Sequence, residues 1–381
     1  PTNNFATMNP LAGGDGSGGG QVLSEGNLKD TAATDNSGIA LTMGLPGSGK
    51  WYWEWEVEDY EAAMFIGIYA PEKVTLDQGT TTSEGFWTYR GDGGSLYGGG
   101  TSIAYGDSWN TNGDIVGVAA DMDNGTLHFA VNNVWEGTAT NDLLTTGYDW
   151  VPALKMHNTS SGVLNLNAGS DSSFAGEKTA QGNQDGNDKG DFYYTPPTLG
   201  DLEQTAKMTG ASAPSPNAVT ASAYDTVNDN KSWYAFDSIR SRKWGLYDAS
   251  NVNSNELPQT LTYDFGSGNG CALNKYRILG DDNPNRMPNT WSIHGSNDDS
   301  DYTLLDTQTG ITWPSDYSWK TYTFSNTTSY RYLRFTYTSN NGDSNYAQLM
   351  ELQYYDTART GNFLALCTSN LPAPEIALPG E

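Results

Sequence analysis

A chain of 381 residues can hold two or three domains. Its 44 glycines, 23 tyrosines and 12 tryptophans, set among many Thr, Ser and Asn with few helical heptads, describe an all-β chain rich in turns rather than an α/β enzyme. Forty-five acidic against 19 basic residues give a formal charge of −26, which opposes DNA, RNA and anionic membranes, because each needs a basic footprint.

The surplus of carboxylates favours solubility and, where loops gather them, Ca²⁺. No apolar run approaches the ~20 residues of a membrane helix, so no membrane insertion is expected. No signal peptide is visible, and Pro1 fits either removal of an initiator Met or the edge of a longer polypeptide. Cys271 and Cys367 fit neither a disulfide framework nor a zinc site, leaving a single long-range bridge as the open possibility. His128, His157 and His294 fall on separate predicted strands without metal-ligand spacing.

In chain order, residues 1–20 read as a flexible arm with a Gly/Ser run from Gly13 to Gly20. A weak strand is expected at Gly38 to Met43, then a strong one at Gly49 to Asp59 with Trp51, Trp53, Trp55 and Val57 on one face, followed by Ala63 to Pro71. On the opposite face of the strong strand Glu54, Glu56 and Glu58 alternate, about 7 Å apart per step, near the separations glycosidases use. A solvated polar face explains the row without chemistry. Between Glu84 and Asn110, Phe86, Trp87, Tyr89, Tyr97, Tyr105 and Trp109 alternate with glycines; these rings either plug a core or tip loops that stack on sugar faces, and Trp87, Tyr89 and Trp109 are the candidates there. From Gly113 to Gly137 a strand apolar on both faces meets Asp123, Asn124 and Gly125, which predict a type I′ hairpin, and Leu127, Phe129 and Val131 resume the core face.

Gly49, Lys50, Trp51, Tyr52, Trp53, Glu54 and Val57, then Ile66, Gly67 and Ile68, then Gly113, Asp114, Val116, Gly117 and Val118, then Asp121, Asp123, Asn124, Gly125, Leu127 and Phe129 resemble the SPRY family in order. The resemblance implies a concanavalin-like sandwich of two antiparallel sheets over residues 21–198 that serves as a recognition scaffold. Concanavalin-like glucanases carry a row similar to Glu54, Glu56 and Glu58, which keeps a glycan hydrolase as the enzymatic alternative, but the surrounding residues match SPRY. No Ser-His-Asp set, P-loop or HExxH motif is present.

Pro196 and Pro197 mark a boundary, and a second module is expected over residues 199–357. Pro288, Trp291, Gly295, Ser296, Asn297, Asp298, Leu305, Asp306, Tyr332, Arg334, Gly342 and Glu351 resemble, in order, the discoidin or coagulation factor type C family, a β jelly roll related to galactose-binding modules. In that family an Ala-Phe-Asp segment leads into a loop that holds a structural Ca²⁺. Ala235, Phe236, Asp237 and Trp244 are present, whereas Ile239 and Arg242 stand where an oxygen ligand is expected, so the resemblance implies Asp237 and Glu351 as the metal candidates. It also implies binding by loops at one end of the barrel, with Trp233, Tyr234, Arg240, Arg242 and Arg286 as candidates. Arg offers a planar fork to hydroxyls or carboxylates, and adjacent Trp233 and Tyr234 cannot both face a core from one short strand.

The tail, residues 358–381, echoes the opening: NFLALCTSNLP against NNFATMNPL. Both segments resemble parts of SPRY-containing proteins of marine tailed phages, which implies that the jelly roll is inserted and that the tail returns to the first domain or leads onward. The reading is a non-enzymatic protein of a virion surface, a fibre or capsid decoration, binding glycans or neighbouring virion proteins as a homo-oligomer. A secreted cellular lectin or adhesin is the alternative.

Overall fold

The computed structural model describes residues 3–14, 20–32, 37–76, 82–157, 162–247 and 256–372. Part of the Gly/Ser run, residues 15–19, and residues 373–381 of the tail lie outside them. Every regular element is a strand or a short 3₁₀ turn, and no α-helix occurs among the described residues. The chain divides into two compact units, residues 1–136, 142–198 and 361–381 in the first and residues 137–141 and 199–360 in the second.

The first unit is built from two antiparallel sheets. One runs Met8–Gly14, Gly38–Leu41, Val151–Met156, Met64–Tyr69, Phe86–Arg90, Ser95–Gly98 and Thr101–Ala104. The other runs Val134–Thr140, Thr126–Val131, Ile115–Asp121, Lys50–Tyr60, Gly162–Asn167, Lys29–Ala32 and Gln21–Ser24. Because side chains alternate along a strand, Trp51, Trp53 and Trp55 all enter the same core and are no more than 1 % exposed. Gly67 must be glycine: a Cβ there would come within 2.1 Å of the Trp87 carbonyl oxygen on the neighbouring strand.

The opening segment belongs to this unit rather than trailing from it as an arm. Ala6 and Met8 are fully buried, and Met8–Gly14 pairs with Gly38–Leu41. The echo between the two ends of the chain has a structural counterpart. Phe5 bridges Cys367, Ala6 N donates to the Leu366 carbonyl at 2.8 Å and Thr368 N to the Asn4 carbonyl at 2.9 Å. Leu364–Ala365 then pairs in parallel with Trp51 and Tyr52, on the edge left free because the Gly162–Asn167 strand stops opposite Glu54.

Two local expectations are corrected. The first hairpin closes from Asp121 to Thr126, with four residues between, and of these Gly125 alone takes positive φ; the Asp121 carboxylate accepts the Asp123 and Asn124 N–H groups and so builds an Asx turn in place of type I′. The tight two-residue turn falls instead at Asn132 and Asn133, with φ of 48° and 66°. The second correction concerns Trp87, Tyr89 and Trp109, which are 8 %, 0 % and 0 % exposed and line no binding surface. Tyr89 packs against Tyr105, Phe129 and Trp109, and the rings of this glycine-rich stretch plug the sandwich, since burying each removes a large apolar area from water.

The second unit is a separate β-sandwich. Its sheets are Ala218–Ala221, Gln259–Asp264, Tyr332–Asn340, Pro288–Ser296 and Thr303–Gln308; Trp319–Thr323, Lys275–Leu279 and Leu352–Tyr355; and the pair Trp244–Tyr247 with Tyr346–Leu349. Trp244, Trp291, Tyr263, Tyr276, Phe335 and Leu349 belong to one buried cluster. Cys271 and Cys367 are free, buried thiols in different units, so the long-range bridge does not form.

Candidate functional site

The Asp225 carboxylate organises the loop before the Trp244–Tyr247 strand. One oxygen accepts the Val227 and Asn228 N–H groups at 2.9 and 3.0 Å, and the other accepts the Asn228 and Asn230 side-chain amides at 2.7 and 3.0 Å. In the next strand Trp244 and Leu246 face the core with their partners Leu349 and Ala347. The alternation therefore sends Gly245 and Tyr247, with Gln348 and Tyr346, to the other side. A Cβ at Gly245 would lie 3.0 Å from the Asn230 side chain, so a larger residue there would press on this loop.

These elements and the Pro284–Arg286 turn enclose a recess of about 290 Å³, whose lining includes Asn228, Asn230, Lys243, Arg286, Tyr346 and Gln348. Lys243 Nζ lies 3.3 Å from Asp281 Oδ2, and Arg286 Nε donates to Asp343 Oδ2 at 3.1 Å. Partial desolvation would raise the Asp343 carboxyl, but the N–H groups of Asn345 and Tyr346 and the Arg286 guanidinium hold it below the usual carboxylate range. The Arg286 guanidinium lies 4.0 Å from the centroid of Tyr346, which also stacks on Tyr247 at 4.4 Å. Gln348 is 3 % exposed, and its Nε2 has no hydrogen-bond partner among the described residues. A buried amide left without an acceptor costs about 1–3 kcal/mol, so it marks a place where a ligand atom or water completes the fold.

Of the five loop candidates, Arg286 alone lines this recess. Trp233 and Tyr234 sit on a 3₁₀ turn, Ser232–Phe236, not on a strand, and both rings are half-buried, packed edge to face at 4.5 Å. Arg242 lies over Tyr234 at 4.9 Å and pairs with Asp237 at 3.2 Å, while Arg240 lies over Trp319 at 5.9 Å. Lys243, Tyr346 and Gln348 escaped the sequence reading because nothing in their spacing sets them apart. The Asp225, Asn228, Asn230 spacing was the one local signal, since an Asp followed by Asn at these offsets closes an Asx loop.

The Glu54, Glu56, Glu58 row is not a solvated face. Glu54 is fully buried and Glu56 is 3 % exposed. Glu54 accepts the Tyr52 hydroxyl at 3.0 Å, the Asn167 amide at 3.1 Å and the Tyr193 and Tyr194 N–H groups at 3.0 and 2.8 Å. Glu56 and Glu58 share the Asn165 amide at 2.9 and 3.0 Å, and Glu58 also pairs with Lys29. Burial pushes the Glu54 carboxyl up to about 7 against these donors. The strand's second face is covered because the neighbouring strand sets Asn165 and Asn167 beside the row and the 192–194 segment lies against it, which a reading of one strand cannot see. Glu54 and Glu56 are therefore interior groups held by hydrogen bonds, and Glu58 alone of the row is partly exposed.

Asp237 and Glu351 do meet. The Ile239 N–H lies 2.9 Å from Asp237 Oδ1 and 3.1 Å from Glu351 Oε1. Burial raises both carboxyls, Asp237 to about 6 and Glu351 well above its usual range. Ca²⁺ takes six to eight oxygens. Among the described residues no third His, Cys, Asp or Glu joins this pair, and Arg242 already occupies one Asp237 oxygen with its positive charge. Asp237 and Glu351 are thus the acidic pair at the place the resemblance gives for Ca²⁺, and the remaining oxygens of a coordination shell would fall to backbone carbonyls and water.

The SPRY domain model matches residues 50–167 and the F5/8 type C domain model residues 215–352. Among solved structures, the chain is similar to the SPRY domain of human HERC1, at 18 % identity and TM-score 0.36, covering 42 % of this chain and 96 % of that one. It is also similar to the family 32 carbohydrate-binding module of Clostridium perfringens NanJ, solved with galactose, at 20 % identity and TM-score 0.29, over 36 % of this chain and 93 % of that one. A chitosan-binding module of a Paenibacillus sp. IK-5 chitosanase/glucanase gives 20 % identity and TM-score 0.29, over 36 % and 94 %. No curated protein matches the chain. The matched domain models and the two sandwiches agree, and the chain carries a SPRY domain followed by an F5/8 type C, or discoidin, domain.

Proposed function

We propose that the protein is a non-enzymatic carbohydrate-binding protein whose sugar contact is the recess formed by Lys243, Arg286, Tyr346 and Gln348. The observation that carries this reading is the buried Gln348 amide without an acceptor, set in a recess beside two cationic side chains. SPRY and discoidin domains are generally binding modules, and in the one carboxylate row that invited a hydrolase reading Glu54 and Glu56 are buried and hydrogen-bonded. A recess of this size lies at the lower end of small-molecule sites, about 300–1,000 Å³, and holds little more than one sugar ring. Single-site affinity is therefore weak, and many copies displayed on one particle raise it by avidity. Such display suits a virion surface, which is supported by the resemblance of the opening and closing segments to marine phage proteins; an extracellular adhesin would use the same recess. No described helix is long and apolar enough to cross a membrane.

The test is a glycan array probed with the whole chain coupled to beads. Arg286→Ala should lower the signal at least about tenfold while the melting temperature moves by no more than a degree or two, since a partly exposed ion pair contributes little to stability. Undiminished binding would remove the recess as the contact.

A further inference from the structure

We infer that the recess selects a sugar bearing a carboxylate, a hexuronate, over its neutral counterpart; this rests on the carbohydrate reading and adds the charge of the ligand. Hydrogen-bonding capacity left open inside the recess is mostly donor capacity. Lys243 spends one of three ammonium protons on Asp281, Arg286 spends its Nε–H on Asp343, and Gln348 Nε2 spends nothing. The Asp225 carboxylate, the acidic group among the lining residues, already accepts four donors from its own loop. Asp281 and Asp343 are not part of the lining, and each also accepts loop N–H groups: Asn283 at 2.8 Å for Asp281, and Asn345 and Tyr346 at 2.9 Å for Asp343. Against these donors stand the side-chain oxygens of Asn228, Asn230 and Gln348, the amide nitrogens of the first two being committed to Asp225.

A neutral sugar ring gains much of its binding from an aromatic plate, and among the described residues the recess offers none. Tyr247 and the Arg286 guanidinium lie 4.4 and 4.0 Å from the Tyr346 centroid, and two groups that close cannot share one face, so both faces of Tyr346 are taken. What remains is polar recognition, in which a carboxylate on a cation and an amide is worth about twice a neutral hydrogen bond. Because each cation also has a carboxylate partner, the preference is moderate and rests on exposed charge that salt screens.

The experiment titrates the whole chain separately with D-galacturonate, D-galactose and sodium sulfate, following backbone amide resonances around Gly245 and Gln348. It is run at about 0.01 M and about 1 M salt, where the Debye length is ~30 and ~3 Å. Galacturonate binding about tenfold tighter than galactose at low salt, with the difference lost at high salt and in Arg286→Gln, is the expected result. Should Arg286→Gln melt early, Lys243→Gln serves in its place. Galactose binding as tightly as galacturonate overturns the charge preference and leaves the carbohydrate reading standing. Sulfate displacing galacturonate at equal concentration, or no response to either sugar, overturns the carbohydrate reading itself.

Discussion

The Glu54 row and the Arg286 recess both gather charged and amide side chains beside a strand, yet they differ in what is left over. On the Lys50–Tyr60 strand each Glu54 oxygen accepts two donors, and the donors come from Tyr52 of the same strand, from the adjoining strand and from the 193–194 backbone. In the recess a guanidinium, an ammonium and a buried amide keep unused N–H groups. A saturated cluster holds a fold together, and one with capacity to spare is where a ligand gains energy by filling it.

The largest effect that sharpens this contrast is expected at Asn167. Its amide donates to Glu54 and to the Asp191 carbonyl, and its oxygen accepts the Gly169 and Asp171 N–H groups. Asn167→Ala should cost about 3 kcal/mol in urea denaturation, because it strips four bonds from buried groups at once. A loss under about 1 kcal/mol, no greater than expected for a partly exposed ion pair such as Arg286 with Asp343, would erase the distinction between the two clusters.

A smaller effect depends on pH. The carboxyls of Glu54 and Asp30 are pushed up to about 7 by burial, against ordinary values of 4.5 and 3.8, so the fold favours their protonated forms. Their contribution is fully present below about pH 4 and is lost as pH rises through 7. Asp30 is fully buried and neither of its oxygens has a partner among the described residues. Asp30→Asn should therefore raise stability by about 2 kcal/mol at pH 8 and change it little at pH 4. Equal effects at the two pH values would mean that burial does not raise the Asp30 carboxyl.

The smallest effect concerns the separateness of the two units. Thr198 and Asn362 form an antiparallel bridge, and Phe363 N donates to the Pro197 carbonyl at 3.1 Å, so the chain leaves and re-enters the first unit at neighbouring positions. We propose that the discoidin domain is an insertion. Deleting residues 199–360 and joining Thr198 to Gly361 should leave a cooperative melt within a few degrees of the first unit's own transition in the whole chain. Aggregation or loss of cooperativity would show that the units are simply in tandem.

Alternation and turn chemistry made an all-β chain and its main strands readable from the residues alone, and the resemblance of ordered residues to two families supplied the two sandwiches. Trp51, Trp53 and Trp55 at period two, Ile66-Gly67-Ile68, and the Trp291 to Glu351 run each depend on neighbours close in sequence, and the strands lie where those patterns put them. The first hairpin kept its place but not its turn type, because Asp121 takes the N–H groups that a tighter turn would have used. Which face of a strand meets solvent was decided elsewhere: Asn165 and Asn167, more than a hundred residues from Glu54 and Glu56, turn an apparent acidic surface into interior. The rings of Trp87, Tyr89 and Trp109 likewise became core once two sheets closed over them. The recess is the most remote case, since Asn228, Lys243, Arg286 and Gln348 come from four separated stretches that only the folded sheet brings together. Local propensity and pattern act over a few residues and set the strands, whereas burial and hydrogen-bond saturation belong to the packed whole, and they decide which polar side chains remain free to bind.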